Sequence, residues 1–266
     1  MISNRTKLRL DILVAERGLA DSRQKARALI MAGKVLVDDV RIDKPGRLVS
    51  PDAHVSVAEE LPFVSRGGLK LAAALDAFSI DPSGLRVLDA GASTGGFTDC
   101  LLKRGALGVV AVDVGYGQLH WTLRNDPRVT VMEKTNVRLL TADLLPHPID
   151  AAVSDLSFIS LKLVLPVLGA LVPTGGWIVP LVKPQFEVGR YEVGKGGVVR
   201  DLDSISRVLE ELKQFSERVG LEVLGQIESP IRGPKGNTEF FLHLKKTGAL
   251  SSMSTARPIL KTKLPF

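Results

Sequence analysis

The chain has 266 residues, 45% of them hydrophobic, which is enough for one large domain or for two domains with substantial cores. Its single cysteine excludes a disulfide framework and a cysteine metal site, and its four histidines show no ligand spacing, so we expect no bound metal. The sequence has no secretory signal pattern and no uncharged apolar run of bilayer length, which predicts a cytoplasmic protein without a membrane partner.

The net charge of +6 is unevenly distributed along the chain. Residues 1–50 have a charge of +5, residues 245–266 another +5, and the residues between them −4. A polyanion would therefore be attracted to the two ends and not to the middle of the chain. A solvated surface with a basic tail would give the same distribution, so charge alone leaves both interpretations open.

Residues 8–58 are predicted to form a compact N-terminal domain of two short helices and a small sheet. The second helix is capped by Asp21 or Ser22 and ends at Gly33. Two apolar runs on either side of the acidic pair Asp38–Asp39 predict a β-hairpin, and a further strand follows.

Several residues of this domain stand at positions typical of a known RNA-binding module. They are Leu10-Asp11, Ser22-Arg23, Ala26, Ile30, Gly33-Lys34-Val35, Val37 and Lys44-Pro45. On these residues the segment resembles an S4-type RNA-binding domain. The resemblance implies that Arg23, Arg27 and Lys34 contact RNA phosphates, which position a protein on folded RNA without reading its sequence. The alternative is a small α+β module whose arginines only improve solubility.

The stretch Arg86–Leu102 has the pattern of a strand, a glycine-rich turn and a helix. Turns of this kind bring backbone N–H groups against a nucleotide-like ligand. The order resembles the D/E-x-G-x-x-x-G loop of S-adenosylmethionine (SAM) methyltransferases, whereas pyrophosphate binders favour G-x-G-x-x-G. Another nucleotide, or a tight turn without a ligand, is the alternative. The candidate cofactor-binding residues of this stretch are Asp89, Gly91, Ser93, Gly95, Gly96 and Phe97.

Residues 65–246 alternate between apolar runs of strand length and helical patterns. This alternation predicts an α/β fold with a mostly parallel, Rossmann-like doubly wound sheet. No helix is evident between the last two strands, so we expect an antiparallel hairpin at the sheet edge. The predicted strands after the glycine turn are Val109–Asp113, Val129–Met132, Ile149–Ser154, Trp177–Val182, Leu221–Ile227 and Phe240–Leu244. The clearest predicted helices are Leu69–Phe78, Leu161–Leu171 and Ser204–Val219.

Two further segments lie outside these domains. Residues 59–64 contain proline and exposed acids, which predicts a linker between the domains. Residues 247–266 are basic and without periodicity, which predicts a disordered tail.

Polar side chains are predicted at the C-terminal ends of the strands, where doubly wound sheets bind ligands. Asp113 ends the second strand, where a carboxylate binds ribose hydroxyls, although it could instead cap a helix before Gln118. Asn136 follows the third strand, where adenine is usually held. Asp155 ends the fourth strand and Lys183 the fifth. Charged residues there are difficult to explain as core, and a buried structural pair is the alternative.

Lys70 precedes the sheet and Glu239 begins its last strand. With Asp155 and Lys183 they match, in order and context, the K-D-K-E tetrad of FtsJ/RrmJ-like RNA ribose 2′-O-methyltransferases. Together with the S4-type domain and Ser65-Arg66-Gly67-Gly68 at the join, they make the chain resemble the TlyA (haemolysin A-like) rRNA methyltransferase family.

This resemblance implies that S-adenosyl-L-methionine is the cofactor and that ribosomal RNA within ribosomal subunits is the partner. The implied reaction methylates the 2′-hydroxyl of a cytidine in large-subunit rRNA, and in longer family members one in small-subunit rRNA as well. The implied catalytic residues are those of the tetrad, with Asp155 also near the cofactor. Arg66 at the join is a further candidate for a contact with RNA.

Two points stay open at the level of sequence. Lys183 could be a base or a cation that positions the hydroxyl, because burial and Lys70 favour its neutral form whereas Asp155 and Glu239 favour its charged form. The segment Pro184–Arg200 is too long for a simple connection, and it could be a mobile lid or a flexible loop.

Three other functions compete with this interpretation. The chain could be a non-catalytic RNA-binding ribosome factor, but the intact tetrad and glycine turn argue against that. A base methyltransferase would not need Lys70 and Lys183 together. A membrane-active haemolysin is disfavoured because the sequence has no spanning segment and, outside the S4-type domain, no strongly amphipathic basic helix.

Overall fold

The computed structural model describes residues 7–57, 62–189, 192–194 and 196–248. The chain divides into two compact units, Met1–Leu61 and Pro62–Phe266. Residues 59–61 of the predicted linker lie outside the described residues, whereas Phe63 and Val64 pack against the core of the second unit. The predicted tail lies outside the described residues from position 249 onward.

The first unit packs two helices against a three-stranded antiparallel sheet. Its elements are β1 (Leu8–Arg9), α1 (Leu10–Glu16), α2 (Arg23–Met31), β2 (Val35–Val37), β3 (Val40–Ile42), β4 (Leu48–Val49) and β5 (Val55–Val57). The order of the three strands is β3-β2-β5, and β1 pairs with β4 separately. The sequence missed β1 and β4, because two-residue strands are too short to show an alternating pattern.

Local residue chemistry explains the boundaries in this unit. Ser22, and not Asp21, caps α2, since its Oγ accepts a hydrogen bond from the Lys25 backbone N–H at 3.1 Å. Asp38 and Asp39 have φ values of 49° and 64°, the left-handed conformation that a two-residue hairpin turn requires.

The second unit is built on a seven-stranded sheet with the order β11-β12-β10-β9-β6-β7-β8. Its strands are β6 (Arg86–Ala90), β7 (Gly108–Val112), β8 (Val129–Met132), β9 (Ala151–Ser154), β10 (Trp177–Val182), β11 (Leu221–Glu228) and β12 (Phe240–Lys246). Its helices are α3 (Arg66–Ala77), α4 (Gly96–Lys103), α5 (Trp121–Arg124), α6 (Leu165–Leu171) and α7 (Leu202–Arg218). Apolar clusters lie on both faces of the sheet, one with α6 and α7 and the other with α3 and α4. The predicted doubly wound sheet is confirmed.

The antiparallel hairpin at the sheet edge is also confirmed. β12 pairs antiparallel with β11 and also with β10, so it is inserted between them. β12 is therefore the strand that runs against the others, a detail that the sequence pattern did not predict. Within the described residues, no helix is long and apolar enough to cross a bilayer.

The helix predicted over Leu161–Leu171 is interrupted. The structure has a short 3₁₀ turn, Leu161–Leu163, followed by α6. Pro166 has no N–H to donate to the carbonyl of Lys162, so one continuous α-helix cannot form through this point.

Glycines allow α3 and α4 to approach each other closely. A Cβ atom added to Gly96 would lie 2.8 Å from the Gly68 backbone nitrogen and would also collide with the Ser65 hydroxyl. A Cβ atom on Gly68 would enter the ring of Phe63. Gly96 and Gly68 are therefore required for packing, whether or not they also bind a ligand.

We expect Gly96→Ala to lower the free energy of unfolding by about 1 to 3 kcal/mol, because the added methyl group overpacks the α3–α4 contact. Urea unfolding followed by circular dichroism measures the change. Gly169→Ala in α6 is the matched control, since its nearest neighbour, Leu221 Cδ2, would lie at 3.4 Å and alanine favours helix. Equal stability of both variants would contradict the packing explanation.

Candidate active site

The glycine turn after β6 has a backbone that requires glycine at two positions. Gly91 and Gly95 have φ values of 88° and 93°, which L side chains rarely adopt. A Cβ atom on Gly91 would lie 2.7 Å from the backbone oxygen of Asp155, so the turn lies directly against the end of β9. Gly95 packs against Leu119 and Leu123, which gives it a structural role next to the predicted cofactor-binding one.

Asp113 holds this turn from the end of the neighbouring strand. Its Oδ2 accepts a hydrogen bond from the Ser93 N–H at 2.8 Å, and its Oδ1 accepts one from the Gly115 N–H at 2.7 Å. The alternative role as a helix cap before Gln118 does not apply, because α5 begins at Trp121 and follows His120 as its cap. Each carboxylate oxygen keeps a second lone pair that can accept a hydrogen bond from a hydroxyl group.

A cavity of about 350 Å³ lies next to Asp113. The residues that line it include Gly91, Ser93, Thr135 and Val137. Asn136 is not among them, because its Oδ1 accepts a hydrogen bond from the Arg138 N–H at 3.1 Å and caps the following 3₁₀ turn. The predicted contact of Asn136 with adenine is therefore not supported by the position of its side chain, and sequence reasoning missed Val137.

Asp89 lies below the glycine turn and not in the cleft. Its side chain is completely buried, and its Oδ2 accepts a hydrogen bond from Thr98 Oγ1 at 2.6 Å. Its Oδ1 has no hydrogen-bond partner within the described residues. Burial raises the pKa of this carboxyl to about 7, against the opposing effect of the Thr98 hydroxyl. The side chain therefore supports the turn from below, and a direct contact of Asp89 with a cofactor stays a prediction.

The four tetrad residues form two ion pairs. Lys70 Nζ, on α3, lies 2.5 Å from Glu239 Oε2, and their side chains are 9% and 1% exposed. Lys183 Nζ lies 2.6 Å from Asp155 Oδ1 and donates a hydrogen bond to Ser157 Oγ at 2.9 Å. Ser157 was not predicted from the sequence, although it lies two residues beyond Asp155.

The strand directions explain why these residues come together. Asp155 and Lys183 follow β9 and β10, which are parallel neighbours and end at the same edge of the sheet. β12 runs the opposite way, and Val182 is paired with Phe240. Glu239 directly precedes β12 and Lys183 directly follows β10, so the two residues lie beside each other at the same edge of the sheet.

Two more cavities adjoin the tetrad. One, of about 280 Å³, is lined by Lys70, Asp155 and Lys183, together with Gly96, Phe97 and the exposed Arg66. The other, of about 460 Å³, is lined by Lys183 and Glu239 together with Phe158, Gln185 and Phe186. The first cavity shares Asp155 with the Asp113 cavity and Lys183 with the second one. The Asp155–Lys183 pair therefore lies where the three cavities meet, and the Lys70–Glu239 pair lies between the first and the second.

A half-buried carboxylate joins the loops that follow β9 and β10. Glu187 accepts hydrogen bonds from Ser160 Oγ at 2.6 Å and from the Leu161 N–H at 2.7 Å. Burial raises the pKa of Glu187, and these two hydrogen bonds oppose the shift. The lid hypothesis for residues 184–200 stays a prediction, because Arg190, Tyr191 and Lys195 lie outside the described residues.

The predicted RNA contacts of the first unit lie on and just after α2. Arg23 donates from Nε to Asp11 Oδ2 at 3.1 Å, so part of its charge is already compensated. Arg9 also pairs with Asp11, and these contacts lower the pKa of the Asp11 carboxyl, with the Arg9 hydrogen bond as the largest cause. Arg27 is exposed one turn after Arg23, and Lys34 is half-buried.

Comparison with known proteins is consistent with this arrangement. The FtsJ-like methyltransferase family matches residues 63–246, and the S4 domain family matches residues 8–55. A Mycobacterium tuberculosis protein described as 16S/23S rRNA (cytidine-2'-O)-methyltransferase TlyA is 51% identical over 241 residues, which cover 90% of each chain. A Campylobacter jejuni protein described as 23S rRNA (cytidine-2'-O)-methyltransferase TlyA is 31% identical and covers 90% of this chain and 100% of its own length. A solved structure described as a hemolysin from Streptococcus thermophilus is 44% identical, with a TM-score of 0.71 over 92% of this chain and 90% of that one.

The buried carboxyl of Asp89 predicts a pH-dependent stability. Its folded-state pKa of about 7 exceeds the ordinary value of 3.8, so the folded state keeps a proton that the unfolded state has lost between these values. The contribution of this carboxyl to the stability of the wild type should therefore fall as the pH rises from about 4 to about 7 and stay level above that.

Asp89→Asn cannot ionise and should not show this loss. The free energy of unfolding of the variant minus that of wild type should increase by about 2 to 3 kcal/mol between about pH 5 and about pH 8. Urea unfolding at several pH values measures this difference. A difference that is constant over the range would show that Asp89 ionises normally.

Proposed function

The chain is a member of the FtsJ-like methyltransferase family with an N-terminal S4 domain, and from this premise we propose that it methylates ribosomal RNA. In the proposed reaction the 2′-oxygen of a cytidine ribose takes the methyl group of SAM, S-adenosylhomocysteine leaves, and the hydroxyl proton is released to water. The main support is the presence of two ion pairs, Lys70–Glu239 and Asp155–Lys183, whose residues line three adjoining cavities. The two TlyA relatives are named for the same chemistry.

The residues around the Asp113 cavity fit SAM. Asp113 offers carboxylate oxygens to ribose hydroxyls, and Val137 and Leu156 offer apolar surface to an adenine ring. Gly91 lets the turn contact the Asp155 backbone. Both residues line the Asp113 cavity and also the cavity beside Lys70, so the two cavities adjoin each other. When bound, SAM supplies an electrophilic methyl group on a sulfonium centre.

The chain's own residues would align the nucleophile. Lys183 is held by Asp155 and Ser157, so its ammonium group is fixed at the boundary of two cavities. We assign it the role of holding the target 2′-hydroxyl by a hydrogen bond. Lys70 compensates the charge of the buried Glu239 beside it. Fixing a weak nucleophile in line with its electrophile accounts for much of the rate enhancement in reactions of this type.

The second cavity is suited to the target nucleotide. Phe158 and Phe186 line it with ring centroids 4.9 Å apart, and the Phe158 side chain is 89% exposed. Exposed aromatic faces stack on nucleobases. The S4 domain would then bind rRNA through phosphate contacts from Arg27, Lys34 and the guanidinium nitrogens of Arg23 other than Nε, which contacts Asp11. A substrate of this kind indicates action in the cytoplasm.

The decisive experiment mixes the protein with methyl-labelled SAM and purified ribosomal subunits. We expect label in 2′-O-methylcytidine after nuclease digestion, and a loss of at least about 100-fold in rate for Lys183→Ala. Lys213→Ala, a half-buried residue of α7, is the control and should keep wild-type activity. Comparison of the two subunits identifies the methylated rRNA.

Other outcomes would change the proposal in defined ways. Label in a base would contradict ribose methylation by the tetrad. SAM binding without label on either subunit would exclude mature subunits as the substrate. Failure to bind SAM would favour a non-catalytic RNA-binding factor.

A second prediction concerns the cofactor cavity. Asp113→Ala should weaken SAM binding by about tenfold or more, because it removes carboxylate acceptors at the ribose position and releases the Ser93 backbone. Asn136→Ala should leave the affinity unchanged, because that side chain faces Arg138. Isothermal titration calorimetry measures both, and equal losses would place the adenosine elsewhere.

A further inference from the structure

Beside the second cavity lies another one, of about 420 Å³, whose charged lining residues are all cations. They are Arg200, Arg232 and Lys235, and we call this cavity the basic pocket. Lys235 also lines the cavity that contains Lys183 and Glu239. The basic pocket is therefore adjacent to the place assigned to the target nucleotide.

The two loops that contain these cations are fixed to each other. Asn237 is 3% exposed, and its Oδ1 accepts a hydrogen bond from the Val199 N–H at 3.0 Å. Its Nδ2 donates to the Gly197 carbonyl at 2.9 Å. Its own carbonyl accepts a hydrogen bond from the Gly233 N–H at 2.9 Å. Binding an anion between the two loops would therefore require little additional ordering of the backbone.

Within the described residues, no carboxylate lies within ion-pair distance of Arg200, Arg232 or Lys235. Two acids that lie close to these cations along the chain have other partners. Asp201 accepts hydrogen bonds from the N–H and hydroxyl of Ser204, and Glu239 is paired with Lys70. The basic pocket thus has an uncompensated positive charge.

We propose that the basic pocket binds a backbone phosphate of the RNA next to the target nucleotide. This inference rests on the proposed function, and it adds a phosphate site in the methyltransferase unit to those expected in the S4 domain. The guanidinium groups of Arg200 and Arg232 match the geometry of phosphate oxygens. Lys235 lies between the two cavities, so a strand whose nucleotide enters one cavity has its next phosphate near the other.

The test measures the KM for ribosomal subunits at several salt concentrations for Arg200→Gln, Arg232→Gln and the double variant. Each substitution should raise KM and lower the slope of log affinity against log salt by about 1. The loss should therefore be roughly fourfold larger at about 50 mM salt than at about 200 mM. Arg86→Gln is the matched control, because Arg86 lies at the N-terminal end of β6, whereas the tetrad lies where the parallel strands end.

The outcomes separate this inference from the proposed function. If wild type methylates rRNA but the double variant keeps the wild-type KM and salt slope, the basic pocket does not contact RNA. A fall in kcat without a change in KM would also overturn it. If wild type does not methylate rRNA, the proposed function fails, and direct binding of labelled rRNA by the same variants still tests the pocket through the salt slope.

Discussion

The pairing of β12 with β10 determines the geometry of the candidate active site. Since β12 runs against its neighbours, its first residue lies at the sheet edge where the parallel strands end. Phe240 is paired with Val182, which brings Glu239 next to Lys183. With β12 parallel to β10, Glu239 would lie at the opposite edge of the sheet. The reversed strand is thus what completes the tetrad.

The tetrad combines two positive and two negative charges in a largely buried place. Burying an unpaired charge costs several kcal/mol, and pairing offsets most of that cost only when the geometry is good. Lys70 and Glu239 satisfy each other in the interior, while Lys183 and Asp155 form the more exposed pair. This arrangement leaves Lys183 accessible to a substrate without leaving an uncompensated charge in the core.

The residues of the glycine turn that are predicted to bind the cofactor also have packing roles. Gly96 allows α3 to lie against α4, which fixes Lys70 relative to the sheet. Gly91 allows the turn to contact the end of β9, and the buried Asp89 supports it from below through Thr98. Replacing any of these residues would affect stability and the site at once, so loss of activity alone cannot assign their roles.

The sequence by itself determined the doubly wound sheet and predicted the two domains and the four tetrad residues, because strand-length apolar runs and motif residues are local features of the chain. It could not determine which side chains face the cleft. Asn136 and Asp89 both stand at expected positions, yet one caps a 3₁₀ turn and the other is buried below the glycine turn. Glu187 and the cations of the basic pocket depend on contacts between loops distant in sequence. Only the tertiary structure decided these, because register and loop packing bring together residues that no local pattern connects.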